Sequence, residues 1–269
     1  MALMVTLESM ADEVFRITRK HLPLLARLCL VATFIEDGIA ILMSYITQVS
    51  MLITIWGFPV IISHLLILMI VFGELVPCVF IVAKKSVLIS TAVLAGAAMF
   101  ETLIYWVPMN WTLLCRYCAL FSGFVLIVAE ELTVPEKHYA GLLQPDESDR
   151  GKPAQWMQLL GRALTGFIMF ALFAQSSNIG FSIQLSVASA LFVLVLIGYK
   201  TRLSALALVV WLFVLNLYLN PFFLPNITAD LREYYKYLFF EITSIIGGML
   251  FVVAYGPGSV SLDAYKKRM

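Results

Sequence analysis

The chain has 269 residues, 18 lysines and arginines against 17 acids, and a formal net charge of +1. It is 61% hydrophobic and 13% charged, with a mean hydropathy of +0.93, whereas soluble domains carry about 25% charged residues. This excludes a soluble globular class, and the near-neutral balance gives no basis for a nucleic-acid partner.

In chain order, residues 1–21 lack the apolar core and small-residue cleavage site of a signal peptide. Leu3, Leu7, Met10, Val14 and Ile17 recur at helical spacing, with Ser9 and Asp12 placed as a capping box. The pattern predicts a short amphipathic helix on the cytosolic membrane face. Eight apolar stretches then follow, at 22–46, 58–83, 87–106, 112–129, 157–175, 181–198, 203–219 and 237–255, each read against a hydrocarbon layer about 30 Å thick. The first carries Arg27, Glu36 and Asp37, which makes it a candidate for a partial or tilted span.

The one sizeable break is 130–156, where Pro135, Gly141, Pro145, Asp146, Gly151 and Pro153 gather as loop formers. It separates a first half, 22–129, from a second, 157–255, with a tail at 256–269. The halves resemble one another. Arg27 and Arg162 each open the first helix of a half. Lys85, Leu88 and Ala92 match Lys200, Leu203 and Ala207, and Gly123, Val128 and Ala129 match Gly248, Val253 and Ala254. An even number of spans per half gives both halves the same orientation, with an axis along the membrane normal. The expected fold is an all-α integral membrane protein of about eight transmembrane helices in two parallel four-helix repeats.

With the amino terminus in the cytosol, almost all basic residues outside the spans fall on that side, and only Arg232 and Lys236 fall in the lumen. Both termini are then cytosolic, and the sequons at Asn110 and Asn226 lie in lumenal loops. The tail ends Lys266-Lys267-Arg268-Met269, a dilysine pattern read by retrieval receptors that return membrane proteins to the endoplasmic reticulum.

A charge inside a membrane is costly and normally faces a cavity or a partner. Five carboxylates qualify: Glu36, Asp37, Glu74, Glu101 and Glu241. Glu36, Asp37, Glu101, Glu241 and Arg116 fall toward the lumenal side, with Glu74 deeper. Asn216 and Asn220 share a helical face, with Tyr218 nearby. Together Glu36, Asp37, Glu101, Arg116, Asn216, Tyr218 and Glu241 predict a lumen-facing pocket between the halves. The bland alternative is an ion pair of Arg116 with Glu101 or Glu241 that only fixes packing. Catalytic motifs, phosphate loops and histidine-rich metal spacings are absent. Cys115-x-x-Cys118 is expected to pack rather than to cycle, and His64 to be structural.

The runs Arg27-Leu28-Cys29-Leu30 and Thr33-Phe34-Ile35-Glu36-Asp37-Gly38 resemble the surfeit locus protein 4 family, as do Val209-Val210-Trp211-Leu212-Phe213, Ile245-Ile246-Gly247-Gly248, Gly256-Pro257-Gly258 and the lysine-rich end. The resemblance spans nearly the whole chain. It implies a cargo receptor, not an enzyme, with no cofactor and no metal. Such a receptor resides in the membranes of the endoplasmic reticulum, the intermediate compartment and the Golgi. Its partners would be soluble secretory cargo bound in the lumen through amino-terminal residues, the COPII coat on export, the COPI coat on retrieval, membrane lipids, and other receptors or copies of itself. The family more distantly resembles four-helix DoxX-like membrane proteins, in agreement with the duplicated halves. A cargo amine would pair with Glu36, Asp37, Glu101 or Glu241. Two further classes stay open: a transporter of a small solute or lipid, which needs a path to the cytosolic side through Glu74, Arg27 or Arg162, and a DoxX-like membrane oxidoreductase using Cys115 and Cys118.

Overall fold

A computed structural model describes residues 21–105, 111–133, 147–167, 179–225 and 227–255. The amphipathic segment before residue 21, both sequon asparagines and Lys266 and Lys267 lie outside the described residues. Among those residues the chain is helical, with no strand. The helices are α1 Leu22–Met43, α2 Tyr45–Trp56, α3 Val60–Val82, α4 Val87–Ile104, α5 Trp111–Thr133, α6 Glu147–Thr165, α7 Ile179–Ile197, α8 Thr201–Leu219 and α9 Ala229–Tyr255.

The sequence leads to an expectation of eight spans. Four described helices are long and apolar enough to cross a membrane: α3, α4, α8 and the Ala229–Ala254 stretch of α9. The count reaches five if α1 and α2 together form one broken span. Those two meet at a bend of 83°, where the sequence predicts one helix over 22–46. At the bend Ser44 leaves helical geometry, and its hydroxyl donates to the Ala40 carbonyl at 2.8 Å while accepting from the Gln48 amide at 3.3 Å. Gly57, in the left-handed region at φ 67°, then ends α2.

Two more boundaries move. Helix α5 runs on to Thr133, so Glu130 sits in its last turns rather than opening a loop, and α6 begins at Glu147, inside the stretch read as loop. Arg162 consequently lies near the end of α6 instead of opening it.

Much of the surface is apolar: Ile46 is 81% exposed, Ile61 74% and Ile89 69%. Side chains of this kind, ringing helices of spanning length, suit hydrocarbon rather than water. Inside, Leu30, Val31, Cys78, Leu94, Leu126, Leu208 and Met249 belong to one continuous core drawn from both halves.

The last helix of each half packs on the first helix of the other, α9 on α1 and α5 on α6. Small residues set both seams. At Gly247 a Cβ would stand 2.7 Å from the Ala26 carbonyl oxygen and the Leu30 nitrogen, so only glycine admits the α1 backbone. Across the same seam Ser244 donates to the Leu30 carbonyl at 2.9 Å and Thr33 to the Phe240 carbonyl at 2.8 Å. On the opposite seam Thr165 donates to the Ser122 hydroxyl at 2.9 Å. Without water, such hydroxyl bonds hold helices together where burial of apolar surface cannot.

Candidate functional site

Helix α1 carries two layers of charge ten residues apart, about 15 Å along the helix. In the first, the Arg27 guanidinium donates to both carboxylate oxygens of Glu130 on α5, its Nε lying 2.9 Å from Oε2, while Lys84 approaches the same carboxylate at 4.0 Å. Arg27 and Glu130 are both buried. The charges match, and the fork geometry fixes α1 against α5.

The second layer is different. Asp37 on α1, Glu74 on α3 and Glu101 on α4 bring their carboxylate oxygens within 4.8 Å of one another. Glycine makes room for this. A side chain at Gly38 would run into Leu75 at 2.9 Å and stand 3.5 Å from Glu74 Oε2, and Gly73 lets α3 approach Ala97 of α4. Glu74 is completely buried, and beyond the neighbouring carboxyls no described group hydrogen-bonds either of its oxygens.

Two cavities meet at this cluster. The larger, of about 580 Å³, is lined by Glu36, Asp37, Gln48, Glu101, Tyr105, Lys236 and neighbours from α1, α2, α4 and α9. The smaller, of about 230 Å³, runs between α1, α4, α5 and α9 past Thr33, Thr102 and Tyr117. Asp37, Glu101, Tyr105 and Tyr237 line both. The Tyr105 hydroxyl is buried with no hydrogen-bond partner, whereas Tyr117 accepts from Thr102 at 3.0 Å. Lys236 is the one cation among the described lining residues, and it is already engaged, 3.0 Å from Glu36. The cavity therefore presents an excess of negative charge.

Of the residues predicted for a pocket, Glu36, Asp37 and Glu101 come together here. Glu241 is buried one turn beyond Tyr237 and lines neither cavity. Asn216 is buried and does structural work: its amide donates to the Phe239 carbonyl at 2.9 Å and its oxygen accepts from Asn220 at 2.8 Å, joining α8 to α9. Tyr218 is 74% exposed and lines neither cavity. Arg116 lies on α5 with its side chain outside the described portion. Glu74 is the residue that sequence reasoning placed elsewhere, and Tyr237 is the one it did not single out, whereas Tyr105, one turn beyond Glu101, lines both cavities beside that acid. His64 accepts or donates a 2.8 Å hydrogen bond with Tyr45, tying α3 to the start of α2. The four cysteines, including Cys115 and Cys118, are free thiols.

The family model described as the SURF4 family matches residues 1–269. The chain is 35% identical over 261 residues to a surfeit locus protein 4 homolog of Drosophila melanogaster, covering 97% of this chain and 96% of that one. It is 30% identical to a surfeit locus protein 4 homolog of Schizosaccharomyces pombe, over 92% of this chain and 82% of that one. To the ER-derived vesicles protein ERV29 of Saccharomyces cerevisiae it is 27% identical, over 93% and 78% of the two chains. No solved structure matches. A family model matching end to end, together with relatives aligned over nearly their whole length, leads to one conclusion: the chain belongs to the SURF4 family.

Proposed function

We propose that this protein is a cargo receptor of the early secretory pathway, which captures soluble secretory proteins on the lumenal side by their amino-terminal residues. The observation that carries the reading is the acidic cavity of Asp37 and Glu101, joined by Glu36 at its rim, where carboxylates outnumber the single engaged lysine. A free amino terminus is a cation on a flexible, narrow chain, and a cavity of about 580 Å³ accommodates a few residues of it. The aromatic walls Tyr105 and Tyr237 suit the apolar residues that follow. A vesicle role comes from the relative named as an ER-derived vesicles protein.

In this reading export uses COPII vesicles, and Lys266 and Lys267 return the empty receptor through COPI, with both termini cytosolic and residence in the endoplasmic reticulum, intermediate compartment and Golgi membranes. The two halves form parallel repeats of four helices, DoxX-like. The reciprocal seams, α9 on α1 and α5 on α6, support that arrangement. Between the acidic cluster and the Arg27–Glu130 layer, Leu30, Val31, Cys78 and Ile81 fill the interior. This packed layer favours a pocket closed at that end over a transporter's through-path.

The test is proximity labelling from a lumenal tag in secreting cells, comparing the wild type with Asp37→Asn/Glu101→Gln. Secretory proteins enriched by the wild type and lost from the variant are expected. Equal enrichment by both removes the cavity from cargo binding, and no enrichment by either removes the receptor reading. Replacing Lys266 and Lys267 by serine moves the protein forward to the Golgi, and continued residence in the reticulum contradicts the retrieval role.

A further inference from the structure

We propose that Asp37, Glu74 and Glu101 form a binding site for one divalent, oxygen-preferring cation of the Ca²⁺ class. The oxygens lie within 4.8 Å of one another, and Ca²⁺ binds oxygen at about 2.3–2.6 Å, so one ion reaches ligands up to about 5 Å apart. Mg²⁺, at about 2.0–2.1 Å with strict octahedral demands, fits this spread less well. The donor set is oxygen only, without the histidine or thiolate that Zn²⁺ favours.

The argument does not rest on the clustering of acids. Glu74 is wholly buried and aims its carboxylate into the cluster, and beyond the neighbouring carboxyls no described residue satisfies it. A buried carboxylate with no partner is strongly disfavoured while ionised, so it is met either by a proton or by a ligand of opposite charge. Among the described residues none supplies it here: Lys236 is held by Glu36, and Lys84 sits at the Glu130 layer. Tyr105, with its buried and unpartnered hydroxyl on both cavities, stands beside the cluster as a further oxygen donor or as a partner for an ion-bound water. The two cavities give the ion an entry path and room for waters.

The site deepens the cargo reading and, in its consequence for cargo, rests on it. Asp37 and Glu101 line the cavities as well as the ion site, so ion and cargo amine draw on the same two carboxylates and compete. The compartment's free Ca²⁺ then sets how readily cargo is held.

The purified full chain in lipid nanodiscs is titrated with Ca²⁺ alone by calorimetry, and with Tb³⁺, whose luminescence Tyr105, Tyr117 and Tyr237 are placed to sensitise. One saturable Ca²⁺ per chain is expected, weakened at least tenfold by Glu74→Gln. Glu36→Gln, outside the triad, changes the affinity less than threefold. Should Glu74→Gln fail to fold, Glu74→Asp retracts the carboxylate by one methylene and serves in its place with the same expected loss. No saturable Ca²⁺ binding, or binding indifferent to position 74, overturns the proposal and means that protons or water alone relieve the cluster. A peptide with a free amino terminus, titrated in chelator, separates the two claims. Ca²⁺ binding without peptide binding keeps the ion site and removes the cargo reading, while peptide binding without Ca²⁺ binding overturns the ion site and keeps the receptor.

Discussion

Helix α1 offers the same kind of chemistry twice, with opposite outcomes. At Arg27 a buried guanidinium meets the buried carboxylate of Glu130 with two hydrogen bonds, and Lys84 stands by as a second cation. About 15 Å further along, three carboxylates face one another with no described cation among them. The first layer satisfies itself and ties α1 to α5, so it needs nothing from outside. The second has no counter-charge among the described residues, and it is there that we propose a cation binds. Buried charge is thus a poor guide to function until its partner has been sought; the missing partner is the informative observation.

The comparison breaks most readily at Glu130. Glu130→Gln leaves Arg27 buried without its counter-charge and is expected to cost about 3–5 kcal/mol, read as a large fall in the thermal midpoint of the detergent-solubilised protein. Glu74→Gln removes one of three mutually repelling carboxylates, so the midpoint should hold or rise, and cargo capture, which draws on Asp37 and Glu101, should be retained. If Glu74→Gln destabilises as much as Glu130→Gln, the triad is a structural element and the distinction collapses.

A smaller effect is expected at the seam that carries both layers. Gly247→Ala sets a methyl 2.7 Å from the α1 backbone at Ala26 and Leu30, beside the Arg27 layer, and should cost about 1–3 kcal/mol through displacement of α9. Since Asp37 lies nearly two turns beyond Leu30, cargo capture should suffer less than stability. The reverse order would show that the seam, not the carboxylates, shapes the cavity. Smallest of all is Lys236→Met. The lysine is 31% exposed, and such partly solvated pairs contribute about 0–1 kcal/mol, so stability should hardly change. Freed Glu36 would add to the acidity of the larger cavity, and cargo amine affinity should rise slightly.

How far the sequence reveals this site can be followed residue by residue. Asp37 and Glu101 stand out because acids interrupt apolar runs at matching depth. Glu74 is equally visible as an intramembrane carboxylate, yet counting from the helix ends misplaces it. It lies 8 residues from the end of α3 at Val82, while Glu101 lies 14 from the start of α4 at Val87, a depth difference of about 9 Å for straight parallel rods. The folded helices close that gap, and Gly38, already present in the motif that carries the family resemblance, was the available signal for a close α1–α3 approach. Tyr218 illustrates the opposite error. Two residues from Asn216 on a helix, it points to another face, and its exposure follows from that spacing alone. Asn216 and Asn220, four apart, do pair as their shared face predicts. The bend at Ser44 left no mark in hydropathy, because α2 is as apolar as the run before it. Glu130 escaped notice because its neighbours are loop formers, and only a partner 103 residues away makes it a core residue.

The most direct test of the incomplete layer is a pair of binding titrations with the purified protein: one secretory amino-terminal peptide bearing a free amine, and the same peptide acetylated. The free peptide should bind at least tenfold more tightly, and Asp37→Asn/Glu101→Gln should erase that difference while leaving the folded protein intact. Equal affinity for the two peptides, or a preference that survives the double substitution, would contradict the claim that these carboxylates await a cation.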